Sequence, residues 1–577
     1  MRVLLIASGY NSLTQRVRAE LGDRGHAVSV EITPDGDAVR AAVGRHTPDL
    51  VLAPMLKTVV PRDVWSGRPC LIVHPGPVGD RGPSSLDRAI LEGATEWGVT
   101  VLQAAEEMDA GDVWATAGFC VPEAGKSDLY RNELSDAAMT AVHLAVERFA
   151  AGARPRPQTG PVRTRPFLRQ EQRRISWEED TDTVLRTLRA ADSQPGVPDE
   201  LLGAEWFLHG GHPEDGLRGR PGELLAARGG AVCRATADGA VWLPELRART
   251  GPGAARACKL PATLALALAG RLPGLPEPPL SRRAPTSPDT PTPAPAPDRT
   301  WSDIRYREQG AVGVLSFSFP GGAMSTGHCR RLLRAYRTAC RRPTSVLVLG
   351  GQRDFFSNGI HLHVIEAAAD PAAESWANIN AMNDLVEAVL TTTDRLVVSA
   401  IGGNAAAGGV MLALAADEVW CRSGSVLNPH YRRMGLYGSE YWTHTLPRKV
   451  GPAMAERLTR SARPVSASAA RIAGLVDRVV DCAPGEFSAE ITRLAARLAT
   501  HPSVARRVAA KKAEHEAREA SNPLAACRER ELGRMRAIFD DPAAPYHALR
   551  RAFVRKEGPA AGSPDARDAD LAGAADR

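Results

Sequence analysis

The sequence predicts a multidomain α/β protein, and three observations lead there. Its 577 residues exceed what a single hydrophobic core supports. Short apolar runs alternate with amphipathic helical patterns in both the first and the last third. Between them lies a stretch of short strands and Gly turns, followed by a segment with ten prolines between Pro273 and Pro297.

Arg2 to Ala7 reads as the first strand. It passes through Ser8-Gly9-Tyr10-Asn11-Ser12 into a helix with Leu13, Val17 and Leu21 on one face, closed by Gly22 and Gly25. Such a turn either aims backbone N–H groups at an anion or is a plain strand-to-helix turn capped by Asn11 or Ser12. Val28 to Ile32 and Leu50 to Ala53 supply further strands, and no G-x-G-x-x-G fingerprint is present.

The most informative stretch runs from Leu71 to Ala115. Cys70 to Val73 reads as a buried strand end. It leads into His74-Pro75-Gly76 and Asp80-Arg81-Gly82-Pro83, a loop rich in turn formers. A helix with Leu86, Ile90 and Leu91 starts at Pro83 and Ser84 and stops at Gly93. A strand from Gly98 to Gln103 then reaches the turn Met108-Asp109-Ala110-Gly111-Asp112. His74 at one strand end and Asp109 in a later turn can meet at the rim of a parallel sheet, where open α/β folds bind ligands. An imidazole there moves a proton between an attacking group and a leaving amine, and a carboxylate orients it and favours its charged form. A loop histidine and a separate aspartate with no joint role is the competing reading.

Arg165 to Leu268 holds short strands and Gly turns, a small β-rich module. The Pro-rich stretch that follows is expected to be an extended linker. Strand and helix units resume at Gly310 to Phe319, Ser345 to Leu349 and Leu396 to Ile401, the last entering Gly402-Gly403-Asn404-Ala405-Ala406-Ala407-Gly408-Gly409 and a helix. Beyond Val480 the pattern is helical to about Lys556, and Gly558 to Arg577 is small, polar and expected to be disordered.

Composition narrows the function classes. Hydrophobic content of 44% and charged content of 24% are those of an ordinary globular protein. Only seven of the 72 basic residues are Lys, and no basic run carries interleaved aromatics, which argues against a nucleic-acid surface. Nine scattered Cys without a C-x-x-C fit a reducing compartment and no metal cluster. No apolar segment reaches the roughly eighteen residues of a membrane span. A cytoplasmic enzyme acting on small molecules is expected, with no nucleic-acid or membrane partner.

Two resemblances sharpen this picture. The run His74-Pro75, Arg81-Gly82-Pro83, then Trp97-Gly98-Val99-Thr100 and Met108-Asp109-Ala110-Gly111-Asp112 resembles folate-dependent formyltransferases over roughly the first 260 residues. The resemblance implies a Rossmann-like catalytic domain over residues 1–164 and an OB-like domain over 165–270. It also implies formyl-tetrahydrofolate as cofactor, with His74 and Asp109 catalytic and Asn11, Ser12, Val60, Met108 and Gly111 around the cofactor. An Asn of that family is expected two residues before the His; Ile72 stands there and removes a side-chain donor for the oxyanion.

After a linker over 271–300, residues from Trp301 to about Cys482 resemble the crotonase (enoyl-CoA hydratase/isomerase) superfamily, and the domain is expected to run to 557 with a helical C-terminus. Phe356-Ser357-Asn358-Gly359, the Gly-rich turn, Ala415-Ala416-Asp417-Glu418-Val419-Trp420, Leu446-Pro447-Arg448-Lys449-Val450-Gly451 and Ala473-Gly474-Leu475-Val476 recur in order. The resemblance implies coenzyme A binding and a thioester oxyanion hole made by the backbone N–H groups of Ile360 and Gly408. One catalytic Glu of hydratases falls at Met411, which cannot move a proton, so enoyl-CoA hydration is not expected. His430, Tyr431, Glu440 and Tyr441 are the remaining polar candidates, with Tyr431 and Glu440 expected to handle a proton.

The order of the two halves resembles the HypX (HoxX) maturation factors of [NiFe] hydrogenases, on Asn11-Ser12-Leu13-Thr14-Gln15, Gly321 to Thr326 and His430 to Trp442. The implied reaction is formyl transfer to coenzyme A and release of carbon monoxide, with hydrogenase maturation proteins as possible partners. A formyltransferase acting on an amine, an acyl-CoA hydrolase or isomerase, and a non-catalytic coenzyme A-binding scaffold are the alternatives.

Overall fold

The computed structural model describes residues 1–251, 253–280 and 299–557. The expected disordered tail from Gly558 and most of the Pro-rich linker lie outside the described residues.

The first half is built on a six-stranded sheet in the order Ala27–Ile32, Arg2–Ala7, Leu50–Met55, Cys70–His74, Glu96–Gln103, Val113–Cys120. The first four strands are parallel, as their continuous apolar runs require of strands covered on both faces. The strand Glu96–Gln103 departs from the expected parallel rim. It runs antiparallel to Cys70–His74, with His74 opposite Thr100, and pairs antiparallel with Val113–Cys120. The loop of this hairpin starts beside Cys70, where Ala104 N–H donates to Cys70 O (2.7 Å), and brings Asp109 to His74. The helix Ser12–Asp23 buries Leu13, Val17 and Leu21 against one face of the sheet, beside Glu133–Ala150.

The middle module consists of two four-stranded antiparallel sheets. The helix Thr181–Ala190 sets Val184, Leu185 and Leu188 into their shared core. The start of the expected free linker is held against this module: Ala227 N–H donates to Pro276 O (2.9 Å), and Arg228 Nη2 donates to Pro278 O (2.9 Å). Prolines cannot donate, but their carbonyls accept, so an extended Pro-rich strand docks through its oxygens.

The last half repeats strand and helix units around a second six-stranded sheet. Its order is Ile304–Gln309, Val312–Phe317, Val346–Gly350, Leu396–Ile401, Glu418–Arg422, Arg478–Val480, parallel except for the first pair. The expected strand at Gly310 to Phe319 is thus the second arm of a hairpin that turns at Gly310. A small sheet of Ala405–Ala406, Val426–Asn428 and Val465–Ser466 stands beside it. Among the described residues no helix is long and apolar enough to cross a membrane.

The two halves meet through charge. Arg422, 1% exposed, donates to Asp136 Oδ2 (3.0 Å), Asn132 Oδ1 (3.2 Å) and Gly402 O (3.1 Å). Arg353 pairs with Asp128 (3.0 Å) and Glu133 (2.6 Å), and Asn428 Nδ2 donates to Gln15 Oε1 (2.8 Å). Buried pairs of this kind hold register more than they add stability, and here they fix the first half's Ser12–Asp23 and Glu133–Ala150 helices against the second half's glycine turns.

Candidate active site

His74 ends its strand as a buried side chain, 4% exposed, on the same face as Ile72 because strand side chains alternate. Asp109 Oδ1 lies 3.3 Å from Nδ1, and Asp80 Oδ2 lies 3.4 Å from Nε2. Asp109 has a positive φ of 55° and is pinned there: Gly82 N–H donates to its Oδ2 (3.0 Å), and Gln158 Nε2 donates to its carbonyl (2.8 Å). Burial opposes charge on the imidazole, but Asp109 and Asp80 outweigh it and push His74 up to about 9. The ring therefore carries a proton on each nitrogen at neutral pH. Gly76 covers this group. A Cβ there would lie 2.4 Å from His74 Nε2 and 2.6 Å from Asp80 Oδ2, so no other residue fits without moving the pair.

In the second half, Ile360 and Gly408 sit on adjoining turns; a Cβ on Gly359 would be 3.4 Å from Gly408 N. The backbone beside Ile360 is fixed by Met324 N–H to Gly359 O (2.8 Å) and His361 N–H to Asn378 Oδ1 (3.1 Å). Gly408 opens the helix Gly408–Leu414, so its N–H has no intrahelical acceptor. Met411, one turn on, is fully buried in the core.

Glu440 brings a carboxyl to this turn: a Cβ on Gly408 would touch Glu440 Cδ and Oε1 at 2.8 Å. Tyr431 OH donates to Glu440 Oε2 (2.6 Å) and sits 2.9 Å from Ser439 O. Burial pushes Glu440 up to about 7, against the bond from Tyr431 and with help from the nearby Glu531. Burial and Glu440 push the Tyr431 hydroxyl well above its ordinary value. Glu440 and Tyr441 both have positive φ, 61° and 58°. Two side chains hold that strained pair. Asn383 Oδ1 accepts from Glu440 N–H (3.1 Å), and Glu531 accepts from Tyr441 N–H (2.9 Å) and Thr443 N–H (2.8 Å). Tyr441 itself points elsewhere, its OH donating to Glu387 (3.0 Å).

One cavity of about 820 Å³ lies between the halves and has walls from both. Asn11, Ser12, Lys57 and Ser85 line it from the first half, and Ile360, Gly408, Tyr431 and Glu440 from the second. His430 also lines it. His74 stands just behind this wall, where Pro75 and Ser85 line the cavity and Ser85 Oγ donates to Pro75 O (2.8 Å).

Asn11 is a helix cap, its Oδ1 accepting from Thr14 N–H (2.9 Å) while Nδ2 donates to Tyr130 OH (3.0 Å). Three residues expected near the cofactor do not line the cavity. Val60 is buried in the core beside Val51 and Val64, and Met108 is 55% exposed. Gly111 is packed so tightly that a Cβ would strike Gln103 O. The sequence reading did not single out Asp80 as a partner of His74, nor Asn383 and Glu531. Asp80 lies in the quoted loop, whereas Asn383 and Glu531 sit on remote helices with no local motif.

Residues 168–254 match the family model "Formyl transferase, C-terminal domain", and 308–543 match "Enoyl-CoA hydratase/isomerase". A methionyl-tRNA formyltransferase of Syntrophus aciditrophicus is 27% identical over 31% of this chain and 59% of its own length. A hydrogenase maturation factor HoxX of Bradyrhizobium diazoefficiens is 48% identical over 96% of this chain and 95% of its own. The crystal structure of HypX from Aquifex aeolicus in complex with tetrahydrofolic acid superposes with a TM-score of 0.92 at 41% identity, over 98% of both chains. With near full-length similarity to both, the chain belongs to the HoxX/HypX family of hydrogenase maturation factors.

Proposed function

We propose that this protein moves a formyl group from formyl-tetrahydrofolate to coenzyme A and then splits the formyl thioester into carbon monoxide and free thiol, supplying the ligand for a [NiFe] hydrogenase iron. The observation that carries this reading is the shared cavity, with Ser12 and Ser85 on one wall and Ile360, Gly408, Tyr431 and Glu440 on the other. A volume of about 820 Å³ falls in the usual range for small-molecule and cofactor sites.

In the first step the coenzyme A thiol gives its proton to solvent, the thiolate adds to the formyl carbon, and the C–N bond to the folate amine breaks. The departing amine nitrogen needs a proton, which imidazolium His74 supplies while Asp109 holds the ring. In the second step the thioester oxygen is held by the N–H groups of Ile360 and Gly408. Glu440 removes the formyl hydrogen, the C–H electron pair becomes the carbon lone pair of CO, and the C–S bond breaks. The same carboxyl then protonates the thiolate, with Tyr431 steering it. A formyl thioester has no α-carbon, so the enolate chemistry of the superfamily is closed to it. Folate binding in this chain finds support in the tetrahydrofolate complex of the Aquifex relative.

The test is single-turnover assay of the pure protein with formyl-tetrahydrofolate and coenzyme A, reading formyl thioester by mass and CO with a haem trap. The wild type is expected to release CO, His74→Ala to make no formyl thioester, and Tyr431→Phe to accumulate it. Turnover without coenzyme A but with an amine acceptor would favour the amine-transferring reading instead. Coenzyme A binding without any turnover would favour a scaffold.

A further inference from the structure

The pair of carboxylates around His74 is more than the single orienting aspartate that a formyl-transfer site needs. Asp109 occupies Nδ1 and is itself fixed by Gly82 N–H. Asp80 approaches the other nitrogen to 3.4 Å, yet without hydrogen-bond geometry, so the buried Nε2 has no hydrogen-bond partner among the described residues. Asp80 is 7% exposed. Its other contacts are Ser85 and Arg165, and Arg165 is paired in turn with Glu92. Both carboxylates belong to one device: residues 80 to 82 supply Asp80 and also the N–H that holds Asp109, and Asp80–Arg81 is pinned by a short ladder to Arg163–Thr164.

Next to this device stands Ile72, on the same strand face and with no donor to offer. We infer that Asp80 is a positioning residue whose carboxylate, 3.4 Å from Nε2 and held in place by the same loop that fixes Asp109, holds the charge on His74. With Asp109 it keeps His74 an imidazolium, the form that has a proton to give during formyl transfer. This rests on the proposed formyl transfer. The groups facing the ring are Asp80 and Asp109, with Arg165 and Glu92 acting on Asp80 from behind.

The experiment is a pH titration of the full chain with ¹³Cε1-labelled histidine, His74→Gln assigning the resonance, in wild type, Asp80→Asn and Asp80→Glu. Tetrahydrofolate binding checks the fold of each variant. The wild-type ring is expected to stay charged through pH 8. Asp80→Asn is expected to titrate at least one pH unit lower, and Asp80→Glu to recover most of that. In the formyl-transfer assay Asp80→Asn should stay within a few-fold of wild type at pH 6 and fall at least 10-fold behind at pH 8.5, a pH-dependent loss that mere misfolding does not produce. A wild-type ring that titrates below pH 7, or one whose titration is unmoved in Asp80→Asn, overturns the inference. The titration decides this even if Asp80→Asn does not fold, through the wild type and Asp80→Glu. A ring that titrates as expected in a protein that transfers no formyl group contradicts the formyl-transfer reading and leaves the role of Asp80 in charging His74 standing.

Discussion

Glu440 Oε2 accepts a 2.6 Å hydrogen bond from the Tyr431 hydroxyl while its other oxygen faces the Gly408 turn. A carboxyl that burial pushes up to about 7 is half ionised at neutral pH, which suits a group that must take a proton and give it back.

Glu440→Gln therefore keeps the shape and loses the base. CO release should fall by about 10²–10⁴-fold, the usual worth of a positioned proton-transfer group. Formyl thioester should build up to the enzyme concentration, read by mass spectrometry after rapid quench.

The same carboxyl sets a pH dependence. In the proposed reaction only the ionised form can remove the formyl hydrogen, so single-turnover CO release should rise with pH through about 7 and level off above it. A profile flat from pH 6 to 8 would remove Glu440 from that role.

Gly408→Ala places a methyl 2.8 Å from the Glu440 carboxyl, on the turn proposed to offer the oxyanion N–H. Formyl transfer should survive within a few-fold, since His74 is untouched. Decarbonylation should drop at least 100-fold, as expected when one oxyanion donor is displaced.

His74 also links stability to pH. Its protonated form is held by two carboxylates, so the stabilisation is complete below the ordinary value of about 6.5 and is lost as pH rises through about 9. The contribution is on the order of 3 kcal/mol. Denaturant midpoints of wild type should fall from pH 6.5 to 9.5 more steeply than those of His74→Gln.

Arg422→Met should leave Asn132 Oδ1 and Gly402 O without their donor, while Asp136 keeps its bond from Arg16. A cost of about 1–3 kcal/mol is expected for the buried acceptors left without a donor. Hydrogen exchange should accelerate at residues 128–136 and 402–404, where the halves meet, before it does in either sheet.

Much of this molecule was legible in its sequence because the informative signals are local. The strand Arg2–Ala7, the helix cap at Asn11 and the Gly-rich turn before Gly408 each depend on neighbours within a few residues. The antiparallel course of Glu96–Gln103 was not legible, since apolar runs do not encode direction. Nor was the hairpin partner Ile304–Gln309, whose side chains are half or fully exposed and give no core pattern. The docking of Pro276 and Pro278 was hidden because proline content reports stiffness and says nothing of what the carbonyls meet. At the site, His74, Asp109, Tyr431 and Glu440 lie in local motifs, while Asn383 and Glu531 reach Glu440 and Tyr441 from helices 57 and 90 residues away. Long-range partners of that kind leave no spacing to read.

In the proposed reaction one carbon passes from folate to thiol to CO inside one cavity, with coenzyme A regenerated at each cycle. The direct measurement supplies ¹³C-formyl-tetrahydrofolate in large excess over coenzyme A and follows ¹³CO and tetrahydrofolate together. The account predicts equal amounts of the two products, many times the coenzyme A present. Carbon recovered as formate or a formylated amine, or ¹³CO that forms at the same rate without coenzyme A, would contradict it.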